Sequence, residues 1–110
     1  MDLRRQPRVG AHYRVIVRHA GFAGHGQTEN LSERGAMLSL DLDTGLTPGD
    51  RVELEIDLPQ VGRIQLTATV RWVSAVLPGI NGVEFCAPVA PELLAHIASL
   101  LAAEPSSATG

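Results

Sequence analysis

Arg51-Val52-Glu53-Leu54-Glu55-Ile56-Asp57-Leu58 sets four aliphatic side chains on one face and four charged ones on the other. A period of two marks a half-buried strand with a solvated outer face, so the acids here are read as surface rather than as a catalytic pair. The pattern extends both ways. Downstream, Pro59 to Gly62 turns the chain, and Ile64, Leu66, Ala68, Val70 and Trp72 then alternate with Gln65, Thr67, Thr69, Arg71 and Val73. Pro78-Gly79 breaks that strand, and Gly82-Val83-Glu84-Phe85-Cys86 predicts the last one. Upstream, Tyr13, Val15, Val17 and His19 alternate with His12, Arg14, Ile16 and Arg18 to give a strand over 11–19. Gly21 to Gly26, with three glycines, reads as a turn before a strand at 27–30. A tight turn follows at Leu31-Ser32-Glu33-Arg34-Gly35, then a strand at Ala36–Leu40 and a loop at Asp43–Asp50.

At 91–102 the period changes. Leu93, Leu94, Ile97, Leu100 and Leu101 form a helical stripe, with Pro91 in the first turn. Six short strands and one helix predict a mainly β chain: a six-stranded antiparallel β-barrel, closed because closure removes exposed edges. The C-terminal α-helix is expected to cover an open end. Residues 1–10 lack periodicity and hold Pro7 and Gly10, so they read as a flexible arm. The barrel and helix then occupy 11–102, and 103–110 reads as a disordered tail.

Composition excludes several function classes. The 110 residues are 45% hydrophobic and 19% charged, which fits one globular domain. The longest apolar stretch, Leu93 to Ala103, is interrupted by His96 and Ser99 and is far shorter than a membrane span. Met1-Asp2-Leu3-Arg4-Arg5 is not followed by an apolar signal segment, so a cytoplasmic location without membrane insertion is expected. The single cysteine, Cys86, rules out an internal disulfide and reads as a small buried hydrophobe. His12, His19, His25 and His96 show no metal-ligand spacing, and Ser32 stands outside any nucleophile elbow, so no enzyme, metal site or cofactor is expected. The net charge is −3 with a pI of about 5.7. With four aromatics (Tyr13, Phe22, Trp72, Phe85), that argues against a DNA or RNA partner.

The charge is unevenly placed. Residues 1–19 hold five Arg and one Asp, a net of +4, whereas 20–110 hold four Arg and eleven acids, a net of −7. A cationic lead on an acidic body points to a local anion site, and every cation is Arg, whose planar fork grips phosphate or guanine bidentately. Arg4 and Arg8 stand four apart in the arm, with Arg5 beside them. Arg14 and Arg18 share the same spacing on a strand, where pairing with the acidic strands is the simpler reading. Roughly 0.7 chance matches to Arg-x3-Arg are expected in this composition, so the spacing alone says little. Asn30-Leu31-Ser32-Glu33-Arg34-Gly35 is sharper: [Asp/Asn]-x-Ser-x2-Gly has a chance count of only roughly 0.04. Two readings stand. It is an ordinary polar turn in which Gly35 supplies a positive φ. Or it is a turn that faces a ligand: the Asn30 carbonyl accepts from guanine N1–H and N2–H, Ser32 reaches a phosphate or base edge, and Gly35 admits the ligand to the backbone.

Arg4-x3-Arg8 in an arm, Asn30-x-Ser32-x2-Gly35 between two strands, and a later Gly82-Val83-Glu84-Phe85 together resemble a PilZ domain over about residues 3–102. The resemblance implies a PilZ-like split barrel that binds cyclic di-GMP, a bacterial second messenger, between arm and barrel surface. Arg4, Arg8, Asn30, Ser32 and Gly35 are then the ligand-binding residues. Arg5 and Trp72 are secondary candidates. Trp72 shares a face with Leu66, Ala68 and Val70, which favours packing, yet some family members use a strand aromatic near the ligand. Leu3 precedes Arg4 where a third stacking Arg would support an intercalated ligand dimer; Leu cannot supply it and Arg5 is the one substitute, so one ligand per domain is the favoured reading and two the alternative.

The expected mechanism is a receptor. The ligand bridges the arm to the turn, orders the arm, and alters the surface that an unidentified effector protein reads. With no output domain in 110 residues, the readout is expected in a partner, and the chain to be a monomer or weak homodimer. Motility and biofilm formation are the pathways that the resemblance suggests. The alternative is a PilZ-type adaptor that binds a partner protein without nucleotide.

Overall fold

The computed structural model describes residues 8–41 and 46–103. Its strands are β1 (Val9–Gly10), β2 (Arg14–His19), β3 (Phe22–Leu31), β4 (Gly35–Leu40), β5 (Arg51–Leu58), β6 (Gly62–Val73) and β7 (Ile80–Phe85), followed by helix α1 (Pro91–Ala103). Neighbours run β3-β2-β5-β6-β7-β4, and β4 pairs back onto β3. The result is a closed six-stranded antiparallel barrel, as the alternation predicts. Val15, Val17, Val52, Leu54, Ile56, Ala68 and Val70 point inward and are essentially unexposed. On the outer face, Glu55 pairs with Arg18 and also lies 3.6 Å from Arg63. The expected strand-to-strand pairing thus holds for Arg18, while Arg14 has no carboxylate partner among the described residues.

Three local expectations are corrected. The glycine-rich stretch 21–26 is not one turn. Ala20 (φ +50°) and Gly21 (φ +86°) alone make the reversal, because a two-residue hairpin loop with two positive φ angles matches the twist of its strands. Gly24 and Gly26 lie inside β3, and a Cβ on Gly26 would stand 2.0 Å from the Ser39 carbonyl oxygen. The first strand starts at Arg14 rather than residue 11. Ahead of it, Val9 and Gly10, expected to be irregular, pair antiparallel with Leu31 and Asn30. The gap between β1 and β2 is bridged by buried Thr28, whose Oγ1 donates to the Ala11 carbonyl (2.5 Å) and accepts from the Tyr13 N–H (2.9 Å).

Helix α1 begins where Leu93 and Leu94 donate to the Ala90 carbonyl, with Glu92 in the first turn favourable to the helix dipole. Leu93 and Ile97 are fully buried, whereas Leu100 and Leu101 are half-buried against the core. The helix rests beside β1, and the Tyr13 hydroxyl is hydrogen-bonded to His96 Nε2 at 2.7 Å. Burial pushes the Tyr13 hydroxyl above its ordinary pKa. Within the expected 43–50 loop, Thr47 N–H donates to Asp50 Oδ2 at 2.8 Å, which holds that carboxyl below the usual carboxylate range. No described helix is long and apolar enough to cross a membrane. Residues 42–45 and the expected tail at 104–110 lie outside the described residues.

Candidate functional site

Two β-bulges build a cleft on the outside of the barrel. In β3, Thr28 pairs with Leu38 and Asn30 with Met37, so Glu29 and Asn30 together oppose one residue. Strict alternation would turn Asn30 inward with Thr28. The extra residue instead leaves Asn30 partly exposed and returns Leu31 to the core. In β6, Val70 pairs with Val83 and Trp72 with Gly82, so Arg71 and Trp72 together oppose Gly82. The core parity of Ile64, Leu66, Ala68 and Val70 therefore fails at Trp72. Trp72 is 42% exposed, and the core packing favoured by simple alternation is corrected.

The cleft between these walls has a volume of about 540 Å³. Arg8, Asn30, Ser32 and Gly35 border it on one side and Trp72 on the other. Arg34, Met37, Arg71 and Glu84 also line it, and none of these was singled out from the sequence. Five of the seven candidate residues thus share one cleft; Arg4 and Arg5 lie outside the described residues.

Each candidate is held by its own local structure. Because Gly10 pairs with Asn30, the end of the arm lies along β3, and Arg8 Nη1 donates to Asn30 Oδ1 at 2.8 Å. That carbonyl keeps a second lone pair for another donor. Ser32 does not face outward as a free hydroxyl. It is 1% exposed, and its Oγ accepts from the N–H groups of Arg34 (3.3 Å) and Gly35 (3.2 Å) while also lying 3.3 Å from the Gly35 carbonyl. The Ser32 N–H donates to that carbonyl at 2.9 Å. Ser32 is therefore the hub of the turn. Ser32→Ala is expected to lower unfolding stability by about 1–3 kcal/mol, because buried N–H groups lose their acceptor. Urea denaturation checks this, and an unchanged midpoint contradicts it.

Gly35 does not serve the turn role expected of it. Its φ is not positive, and the space a side chain would fill holds backbone: a Cβ would stand 2.1 Å from the Val83 carbonyl oxygen. Gly82 plays a comparable part under Trp72, where a Cβ would lie 2.2 Å from the indole Nε1. A residue without a side chain at 82 lets the indole approach β7 closely. Arg71 donates from Nε to Glu84 Oε1 at 2.6 Å and pairs with it through Nη2 as well. The cleft thus combines an aromatic face, amide and carboxylate acceptors, and guanidinium groups. These are the groups needed to stack a planar ring, read its edge and hold an anion. Among the described residues no cluster of His, Cys, Asp or Glu is placed to hold a metal ion. Cys86 is half-buried, with Sγ 3.7 Å from Thr69 Oγ1, and lies away from the cleft.

Comparisons with known proteins follow the same outline. No curated protein matches the chain. Among solved structures, the Bacillus subtilis inhibitor of motility (MotI/DgrA) superposes with a TM-score of 0.76 at 18% identity. That match covers 93% of this chain but 51% of the other, so the chain spans about half the length of that protein. The PilZ domain of YcgR from Escherichia coli, solved with c-di-GMP, superposes with a TM-score of 0.75 at 22% identity, covering 92% of this chain and 93% of that one. At such identities the likeness is one of fold. The family model for the PilZ domain matches residues 2–103, which spans the arm, both bulged walls of the cleft and the helix, and the chain belongs to the PilZ domain family.

Proposed function

We propose that this PilZ domain is a cyclic di-GMP receptor whose ligand occupies the cleft between Arg8 and Trp72. The observation that carries the reading is the meeting of its two motif halves. Arg8 and Asn30, 22 residues apart, are joined by a 2.8 Å hydrogen bond at the rim of a cleft of about 540 Å³. Small-ligand sites commonly measure about 300–1,000 Å³. Membership of the family and the fold shared with a c-di-GMP-bound PilZ domain support the same conclusion.

Cyclic di-GMP presents two phosphates and two guanines. Arg8 offers its fork to a phosphate or to a guanine O6/N7 edge, Asn30 accepts from the guanine N1–H and N2–H, and the Trp72 indole stacks on a purine face. Arg4 and Arg5 are assigned to the same ligand, which ties the leading segment to the barrel and changes the surface an effector protein meets. The domain is a binding module rather than an enzyme and acts in the cytoplasm. The motility inhibitor among its structural neighbours makes motility the first pathway to test.

Calorimetric titration with cyclic di-GMP and cyclic di-AMP tests this reading. Cyclic di-GMP is expected to bind at one per chain and cyclic di-AMP at least tenfold more weakly, because adenine lacks the donors that Asn30 accepts. Asn30→Ala should narrow that gap. Equal binding of both dinucleotides, or of neither, contradicts the proposal.

A second reading, a nucleotide-independent adaptor, draws on one observation. The β6–β7 tip displays Val76 (83% exposed) and Leu77 (58% exposed) on a turn held by Ser74 Oγ, which accepts from both their N–H groups. Under that reading a partner binds Arg8→Ala as well as it binds the wild type, with or without dinucleotide.

A further inference from the structure

Arg34 has no part in the function argued so far, yet its surroundings set it apart from the other described arginines. Its main chain is fixed on both sides. The N–H donates to Ser32 Oγ at 3.3 Å, and the carbonyl accepts from the Phe85 N–H at 2.7 Å. Arg34 is exposed and lines the same cleft as Arg8. Arg18, Arg63 and Arg71 each pair with a glutamate. Arg34 has no carboxylate partner among the described residues. Arg14 and Arg51 also lack one, but neither borders this cleft.

Charge in the cleft then resolves simply. Three arginines (Arg8, Arg34, Arg71) and one glutamate (Glu84) line it, a formal net of +2. Arg71 and Glu84 neutralise each other through their paired contacts. Among the described residues two guanidinium groups remain, Arg8 at the arm and Arg34 at the turn, while Arg4 and Arg5 lie outside them. A cyclic dinucleotide carries two phosphodiesters, each a single negative charge with two free oxygens. One fork per phosphodiester satisfies both, because a guanidinium donates two parallel N–H bonds to such an oxygen pair.

We propose that Arg34 is a ligand-binding residue that grips one phosphodiester of the dinucleotide while Arg8 serves the other side of the cleft. The assignment rests on the cyclic di-GMP reading of this site. It gives the Ser32 turn a function that the Ser32 hydroxyl, engaged with the main chain, does not itself supply. The turn presents a cation from a rigid base, so little backbone order is lost when the ligand arrives.

The test is calorimetric titration of cyclic di-GMP into the wild type, Arg34→Gln, Arg34→Lys and Arg14→Gln, at low and at physiological ionic strength. Arg34→Gln is expected to bind about ten- to hundredfold more weakly and to lose part of the salt dependence, since a charged hydrogen-bond donor is removed. Arg34→Lys retains a point charge and should lose less than about tenfold. Arg14→Gln removes an exposed arginine outside the cleft and should bind as the wild type does. Because Arg34 is exposed, thermal unfolding of its variants should match the wild type. Wild-type affinity in Arg34→Gln overturns the assignment while leaving the cleft's function standing. An equal loss in Arg14→Gln also overturns it, by assigning the effect to overall charge. If the wild type itself fails to bind, the reading of the cleft falls, and the Arg34 assignment falls with it.

Discussion

Arg8→Ala is expected to weaken cyclic di-GMP binding by about 2–5 kcal/mol, roughly thirtyfold or more, with little change in the stability of the free protein. Arg8 is exposed, and its described side-chain contact is the hydrogen bond to Asn30. Removing it costs the unliganded barrel one surface hydrogen bond, worth about 1 kcal/mol or less. The liganded state loses far more, because a phosphate or guanine edge brought into the cleft loses a paired donor. Arg8→Lys keeps the charge but not the fork, so it should fall between the two. Titration calorimetry with urea denaturation separates the effects. An Arg8→Ala variant that binds within threefold of the wild type would show that the arm does not grip the ligand.

Gly35→Ala is expected to lower unfolding stability by about 3 kcal/mol and to abolish ligand binding through the cleft rather than through any ligand contact. The added methyl would stand 2.1 Å from the Val83 carbonyl oxygen and 3.3 Å from the Glu84 Cα. Both are backbone atoms of the strand that pairs with β4, where Gly35 faces Glu84 and Ala36 faces Val83. Neither can rotate away. Relief requires the start of β4 to leave β7, which strains the Ser32–Gly35 bond and the Phe85–Arg34 bond together. Gly10→Ala is the control: a Cβ there meets nothing within 4 Å, so stability should change by less than about 0.5 kcal/mol. Equal denaturation midpoints for Gly35→Ala and the wild type would refute the close-approach account of this glycine.

The barrel is legible in the sequence because its longest strands obey one rule. Along 51–58 and 64–70 every second residue is aliphatic, and each such side chain reaches the core. The helix is equally plain in its stripe of leucine and isoleucine. What escaped the pattern is non-local. Gly26 is a glycine because the Ser39 backbone passes close by, a fact held in β4 and not in the sequence around residue 26. Val9 and Gly10 form too short a strand to show a period, and their pairing depends on Leu31 and Asn30.

The site was legible as a set of residues but not as a geometry. Asn30, Ser32 and Gly35 were found through their spacing, yet two of them shape the turn instead of offering a free group to the cleft. Trp72 is a secondary candidate in the sequence but is assigned to the wrong face, because parity counting fails at a bulge: one extra residue at Arg71–Trp72 reverses the face of everything beyond it. The same reversal at Glu29–Asn30 turns Asn30 outward. The two bulges act on opposite walls of one cleft, and each gives up ladder regularity to aim a polar or aromatic group away from the core. Arg34 and Arg71, which lay inside a motif and a strand already noted, gain meaning only once both walls are seen together.

A crystal structure of the chain grown with saturating cyclic di-GMP tests the central claim most directly. The account predicts density for the dinucleotide on the outer face of β4 and β7, a purine stacked on Trp72, its edge on Asn30, and phosphates within hydrogen-bond distance of Arg8 and Arg34. A dinucleotide bound elsewhere, or a cleft that stays empty while Arg8 remains on Asn30, would contradict it.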